Sequence, residues 1–166
     1  MSTTKILGLD AMRKERERIR ASGLRLVFTN GCFDLLHPGH VRYLAAARAT
    51  GDRLVVAVNA DPTVAALKGE GRPIVPLPER MEVLAGLESV DYVVAFDEDT
   101  PALLIEALMP DVLVKGGDWS TDRIVGCDTV ERVGGQVLSL PFAEGYSTSR
   151  LIERVLEGRD KLDGNP

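Results

Sequence analysis

The chain has little of what specialised proteins are built from. Its 166 residues include two cysteines, two histidines and one tryptophan. Cys32 and Cys127 are too few for a disulfide framework or a zinc site, and both read as packing residues without redox duty. No apolar run approaches the ~20 residues that a bilayer-spanning helix needs. Residues 1–10 lack the apolar core of a secretory signal, so the expected setting is a reducing cytoplasm with no membrane partner. A basic surplus is also missing: 20 Lys+Arg stand against 25 Asp+Glu, for a net charge of −5. That balance gives no support to nucleic-acid binding. The charge-dense tract Arg13–Arg20 reads as a solvated helix face with intrahelical pairs such as Arg13–Glu17. The patterns G-x-x-x-x-G-K-[ST], G-x-G-x-x-G and G-x-S-x-G are absent, which removes the usual support for P-loop, dinucleotide and nucleophile-elbow readings. With 45% hydrophobic and 27% charged residues, the composition is that of an ordinary globular protein. The length suits a single domain over 1–166.

What is present is an alternation of apolar, β-rich runs with helical patterns. Strands are expected at Leu24–Thr29, Arg53–Asn59, Tyr92–Phe96, Val112–Lys115 and Gln136–Leu140. Helices are expected at Asp10–Ser22, Pro38–Thr50, Pro78–Leu87, Pro101–Met109, Asp128–Val133 and Ser147–Glu157. Asp10 is a candidate cap for the first helix and Gly23 its stop. Leu54–Val58 and Val112–Val114 are continuously apolar, as parallel strands covered on both faces are. The order predicts an α/β fold: a Rossmann-like, doubly wound sheet of five parallel strands with helices on both faces. Such sheets bind ligands beyond the carboxyl ends of their strands, at the switch point. Ala60–Leu77 shows little regular pattern. Within it, Lys68-Gly69-Glu70-Gly71-Arg72-Pro73 reads as a mobile loop of the kind that serves as a lid. Gly158–Pro166 reads as a frayed tail.

The chemistry concentrates in Thr29-Asn30-Gly31-Cys32-Phe33-Asp34-Leu35-Leu36-His37-Pro38-Gly39-His40, which holds both histidines. The stretch begins where a strand ends and finishes inside a helix. Pro38 suits the first helical position, and the helix start offers free N–H groups and a positive dipole end to an anion. Gly31 and Gly39 remove side chains where a phosphate approaches backbone. His37 and His40 share one side of the helix start. No further ligand completes a set around them, so no dedicated metal site is expected.

Gly31-Cys32-Phe33-Asp34 followed by His37-Pro38-Gly39-His40 resembles the HxGH nucleotidyltransferase superfamily, the cytidylyltransferase-like group. Four further blocks are similar to the heptose-1-phosphate adenylyltransferase family: Lys68–Ile74, Pro78–Met81, Val114–Trp119 and Glu144–Ser149. The resemblance runs from Leu24 to Leu156. Cytidylyltransferases carry Arg-Thr before Glu-Gly-Ile-Ser-Thr-Ser; here those places hold Phe142 and Ala143, and Tyr146 replaces the Ile. That departure weakens CTP specificity and agrees with the adenylyltransferases. A chain of this length has no room for the heptose kinase often fused to members of that family.

The resemblance implies that AMP passes from ATP to a sugar 1-phosphate, giving ADP-heptose and pyrophosphate. The sugar phosphate oxygen attacks the α-phosphorus in line with departing pyrophosphate, so catalysis is positioning plus charge stabilisation. It implies His37 and His40 on the triphosphate and Lys68 as a mobile cation closing over the phosphates. It places the nucleotide against Asn30, Gly31, Cys32, Phe33, Gly39, Asp118, Tyr146, Ser147, Thr148 and Ser149, whose hydroxyls also suit helix capping. Asp34, Arg72, Arg80, Lys115 and Trp119 are further candidates for substrate or phosphate. Against those readings, Arg80 pairs with Glu79 or Glu82 on a helix surface, Lys115 merely ends a strand, and Trp119 merely packs. Mg²⁺ is expected to travel with ATP, and relatives imply a homodimer. Two alternatives stay open: a cytidylyltransferase acting on glycerol 3-phosphate or a similar small phosphate, and a nucleotide-sensing module without turnover.

Overall fold

The computed structural model describes residues 2–141 and 143–162. Its sheet has five strands, β1 (Leu26–Gly31), β2 (Arg53–Asn59), β3 (Tyr92–Phe96), β4 (Val112–Gly116) and β5 (Gln136–Leu140), in the order β3-β2-β1-β4-β5. Every pairing is parallel. The helices are α1 (Leu9–Ala21), α2 (Pro38–Arg48), α3 (Asp61–Lys68), α4 (Leu77–Ala85), α5 (Ala102–Leu108), α6 (Cys127–Arg132) and α7 (Thr148–Leu162). The expected doubly wound α/β architecture is therefore present. Its switch point lies between β1 and β4, where the chain stops adding strands on one side and starts on the other.

The sheet is covered on both faces, which explains its continuously apolar strands. Leu54, Val56 and Val58 of β2 pack with Tyr43, Leu44 and Ala47 of α2 and Met81 and Leu84 of α4. The alternate residues Val55 and Ala57 pack with Met12 and Ile19 of α1 and Leu104, Ile105 and Leu108 of α5.

Several local expectations need correction. β1 starts at Leu26 rather than Leu24, because Leu24 belongs to the end of α1. Its N–H donates to Ile19 O (3.1 Å) and that of Gly23 to Arg20 O (3.0 Å), with Gly23 at φ +70°. This Schellman closure uses the glycine's freedom to adopt positive φ. Asp10 does not cap α1; Gly8 holds that place without a side-chain bond. The tract Arg13–Arg20 is not wholly solvated either. Arg16 is buried, bonds the carbonyls of Leu108 and Met109 and pairs with Asp111 at 3.0 Å. The expected loop from Ala60 opens with a helix, α3, seated by fully buried Val64 and by Thr63 Oγ1 donating to Asp97 O. α7 continues to Leu162, past the Gly158 at which a frayed tail was expected. Phe142 and residues 163–166 lie outside the described residues. Among those described, no helix is long and apolar enough to cross a membrane.

Candidate functional site

The ladder between β1 and β4 pairs only Val27 with Val112 and Phe28 with Leu113, whereas β1 and β2 pair over the whole of β1. At the carboxyl end of the seam, side chains replace backbone pairing. Tyr43 of α2 sets its hydroxyl 2.7 Å from Thr29 Oγ1 and donates to Val114 O (3.4 Å). Lys115 Nζ donates to Asn30 Oδ1 (3.3 Å). Burial pushes the Tyr43 hydroxyl up to about 12, so it stays a neutral strut.

The start of α2 sits over this seam. Pro38 takes the first helical position, as expected, and His37 is the N-cap, its Nδ1 accepting from the His40 amide at 3.4 Å. The two imidazoles stack with centroids 3.8 Å apart and planes 15° from parallel. Phe33 meets His40 edge-on at 5.4 Å. Burial, with His37 adjacent, pulls His40 down to about 4. Burial also lowers His37, against the opposing effect of its own backbone. Both rings are therefore neutral at pH 7, and the pair offers hydrogen bonds rather than charge. His40 Nδ1 is buried without a partner among the described residues.

Gly39 allows the next turn to come close. A Cβ there would stand 2.9 Å from Tyr146 Cβ and 3.0 Å from His37 Nδ1. Tyr146 in turn stacks toward His37 at 6.3 Å and lies under the Arg42 guanidinium at 5.2 Å. Ser147 Oγ accepts from the Arg150 amide and caps α7, while Thr148 Oγ1 donates to Leu35 O and ties α7 to the loop before α2.

Two cavities flank the His37–His40 turn. One, of about 580 Å³, lies beyond β1, β2 and β4; its walls include His40, Lys68, Lys115, Trp119 and Arg123. Its rim carries exposed apolar side chains, Leu67, Trp119 and Val125. The other, of about 560 Å³, lies between α2 and α7 and is lined by His37, Tyr146, Ser147, Arg150 and Arg154. Asn30, Gly31, Cys32 and Phe33 line the first cavity, as expected of residues placed against a ligand.

Other candidates lie elsewhere. Asp34 is buried and fully occupied: it pairs with Arg72 and accepts from the amides of Ile74 and Val75. Burial opposes its ionisation, but those three donors together hold its carboxyl below the ordinary value. Asp34 and Arg72 thus fix the segment after α3 instead of facing either cavity. Arg80 pairs with neither Glu79 nor Glu82. It is 1% exposed and bonds the carbonyls of Cys32, Asn59 and Val75 and the Asp61 carboxylate. Lys68 is no loop residue; it ends α3, and Gly69 at φ +94° stops the helix behind it. Asp118 and Ser149 are exposed and line neither cavity. Sequence reasoning passed over Tyr43, Asn59, Arg123, Arg150 and Arg154. For the last two a signal existed: their four-residue spacing puts both on one face of the helix that the serine-rich turn opens.

Residues 28–154 match the model of the cytidylyltransferase-like family. The chain is 58% identical over 141 residues to the bifunctional protein HldE of Alcanivorax borkumensis, covering 85% of this chain and 30% of that protein. It is 61% identical over 141 residues to the bifunctional protein HldE of Alkalilimnicola ehrlichii, with the same coverage. The chain thus spans about 30% of the length of the curated relatives it matches. Among solved structures, the lipopolysaccharide core biosynthesis protein of Thermoplasma volcanium superposes with a TM-score of 0.60 at 27% identity, covering 75% of this chain and 100% of that one.

Proposed function

The chain belongs to the cytidylyltransferase-like family, and from that premise we propose that it transfers AMP from ATP to heptose 1-phosphate, releasing pyrophosphate and ADP-heptose. One observation carries this reading. The neutral, stacked His37–His40 pair on a helix N-terminus separates two cavities, each lined by cations. In-line substitution at a phosphorus needs this layout: the attacking oxygen enters on one side and the leaving group departs on the other. The α-phosphate sits at the turn, where the Gly39 amide and the two imidazoles donate to its oxygens as charge builds. Gly31, Cys32, Phe33 and Gly39 let its oxygens approach backbone. Tyr146 and Ser147, on the wall of the second cavity, hold the rest of the nucleotide, and Lys68 offsets charge from the end of α3. Mg²⁺ enters as part of the MgATP substrate.

Phe142, Ala143 and Tyr146, standing where cytidylyltransferases carry Arg, Thr and Ile, favour ATP over CTP. The likeness to the HldE proteins and to a lipopolysaccharide core protein supports a core-type sugar as acceptor. A homodimer in the cytoplasm completes the proposal.

The test is pyrophosphate release from Mg²⁺ with ATP or CTP, offered heptose 1-phosphates, hexose 1-phosphates and glycerol 3-phosphate, with products weighed by mass spectrometry. Release only with ATP and heptose 1-phosphate, and its loss in His40→Ala, is expected. Turnover of CTP with glycerol 3-phosphate would replace the substrates while keeping the chemistry. Nucleotide binding without pyrophosphate from any pair would overturn the reading in favour of a sensor.

A further inference from the structure

Lys115 stands at the end of β4 on the floor of the first cavity, and its surroundings are lopsided. Its ammonium has three donors, yet the only acceptor within reach among the described residues is Asn30 Oδ1, at 3.3 Å. No carboxylate of the described residues forms an ion pair with it or with Lys68. Arg123 adds a third cation to the walls, against one acidic lining residue, Asp99. Cys32 does not balance them either. Burial pushes its thiol up, so it remains uncharged at neutral pH despite the cations around it. A partly buried ammonium with unused donors favours an anion that completes its shell. Burial accordingly pulls Lys115 below the ordinary lysine value, with Lys68 adding to the effect.

The two cavities differ in a way that identifies the anion. The one beside α7 offers Arg150, Arg154 and Ser147 to phosphate oxygens, with Tyr146 beside them and Glu153 and Glu157 on the same walls. The one over Lys115 holds that partly buried cation and neutral His40 inside, and at its rim exposed Lys68 and Arg123 stand among the apolar Trp119, Leu67 and Val125. A sugar ring whose C–H face lies on the indole and whose phosphate points inward to Lys115 fits that lining. Resting on the sugar-phosphate reading above, we propose that Lys115 binds the phosphate of the acceptor sugar, with Asn30 as its positioning residue and Trp119 beneath the sugar ring. The attacking oxygen is then held on the His40 side of the α-phosphorus. The P–O bond to pyrophosphate breaks on the His37 side, where Arg150 and Arg154 take the leaving group. Lys115 neither gives nor takes a proton; it fixes the nucleophile and offsets its charge.

The experiment compares the full chain with Lys115→Met and Lys115→Arg. In Lys115→Met the KM for heptose 1-phosphate is expected to rise by about tenfold or more, the loss of one charge-assisted hydrogen bond, while the KM for ATP stays within about twofold. Lys115→Arg should recover most of the affinity, which a merely structural lysine at a strand end would not require. Circular dichroism checks that both variants are folded. Trp119, the only tryptophan of the chain, gives a second readout: its fluorescence should respond to heptose 1-phosphate without ATP, and Lys115→Met should abolish that response. A rise in the KM for ATP alone, or an unchanged fluorescence titration in Lys115→Met, overturns the assignment. If the wild type releases no pyrophosphate, the sugar-phosphate reading fails, and the fluorescence titration decides Lys115 by itself.

Discussion

Replacing Arg80 by Met removes the guanidinium and keeps most of the side-chain stem. Arg80 is 1% exposed and joins four segments: the loop after β1, the end of β2, the start of α3 and the stretch before α4. The substitution leaves the carbonyls of Cys32, Asn59 and Val75 without that donor, at roughly 1–3 kcal/mol for each one that stays dry. Asp61 loses its partner but is 41% exposed at the side chain and rehydrates, so its share is about 0.5 kcal/mol. Water entering beside Val75 recovers part of the loss, which leaves a net cost of about 4 kcal/mol, within the range for breaking buried charged contacts. For a domain of this size that is a fall in Tm of about 10 °C. Urea unfolding with an unchanged slope, alongside calorimetry, measures it. Asp61→Asn is the control and should lose less than about 1 kcal/mol. If Arg80→Met loses less than about 1 kcal/mol, or Asp61→Asn loses as much as Arg80→Met, the hub does not hold these segments together. A surface arginine paired within its own helix would give that small loss.

Three other outcomes follow from the geometry. In an NMR titration of the free protein, with its two histidines assigned by substitution, neither ring should titrate near pH 6.5 and His40 should do so near pH 4; a midpoint at or above 6.5 for His40 refutes its burial. Because its folded value is depressed, His40 costs no stability above pH 6.5, and stability falls as pH drops from 6.5 toward 4. Gly39→Ala should leave the fold cooperative but cut pyrophosphate release by at least about tenfold, since its Cβ must displace Tyr146 or His37; wild-type turnover would show that the two turns have slack. Asp34→Asn should cost about 2–4 kcal/mol at pH 7, where a buried ion pair is broken, and the difference from wild type should shrink below about pH 3.8 as the wild-type carboxyl protonates. A gap that widens on acidification would reverse that sign and refute the ion pair.

The layered fold was legible because covered parallel strands write themselves as unbroken apolar runs, as in Leu54–Val58. What escaped depends on contacts distant in sequence. Leu24 is as apolar as a strand residue, but Gly23 at positive φ folds it back on Ile19, so β1 starts later. α3 is eight residues long with Pro62 in its first turn, too short for a period to emerge, and Val64 reveals its role only once β2 is beneath it. The motif Thr29–His40 announced the site, including a histidine pair on one side of the helix start. Polar residues near it were harder to place. Arg72 and Arg80 have the chemistry of phosphate ligands and Asp34 that of a hydroxyl or cation ligand, and all three are used to hold the backbone around the site. Lys68 was read as mobile from its glycine neighbours, which are the stop signal of a helix.

The short ladder between β1 and β4 has a thermodynamic consequence. The halves of the chain carrying β1–β3 and β4–β5 meet at a seam with two paired positions, sealed beyond them by Tyr43 and by Lys115 on Asn30. Any ligand lying across that gap binds the assembled sheet and neither half alone. Its binding energy therefore adds to the cohesion of the whole molecule, by about 2.7 kcal/mol at a concentration 100 times its dissociation constant. Amide hydrogens at the carboxyl ends of both strands should exchange more slowly when substrate is present. The shortest ladder in the sheet is thus the one that a ligand lying across it would strengthen.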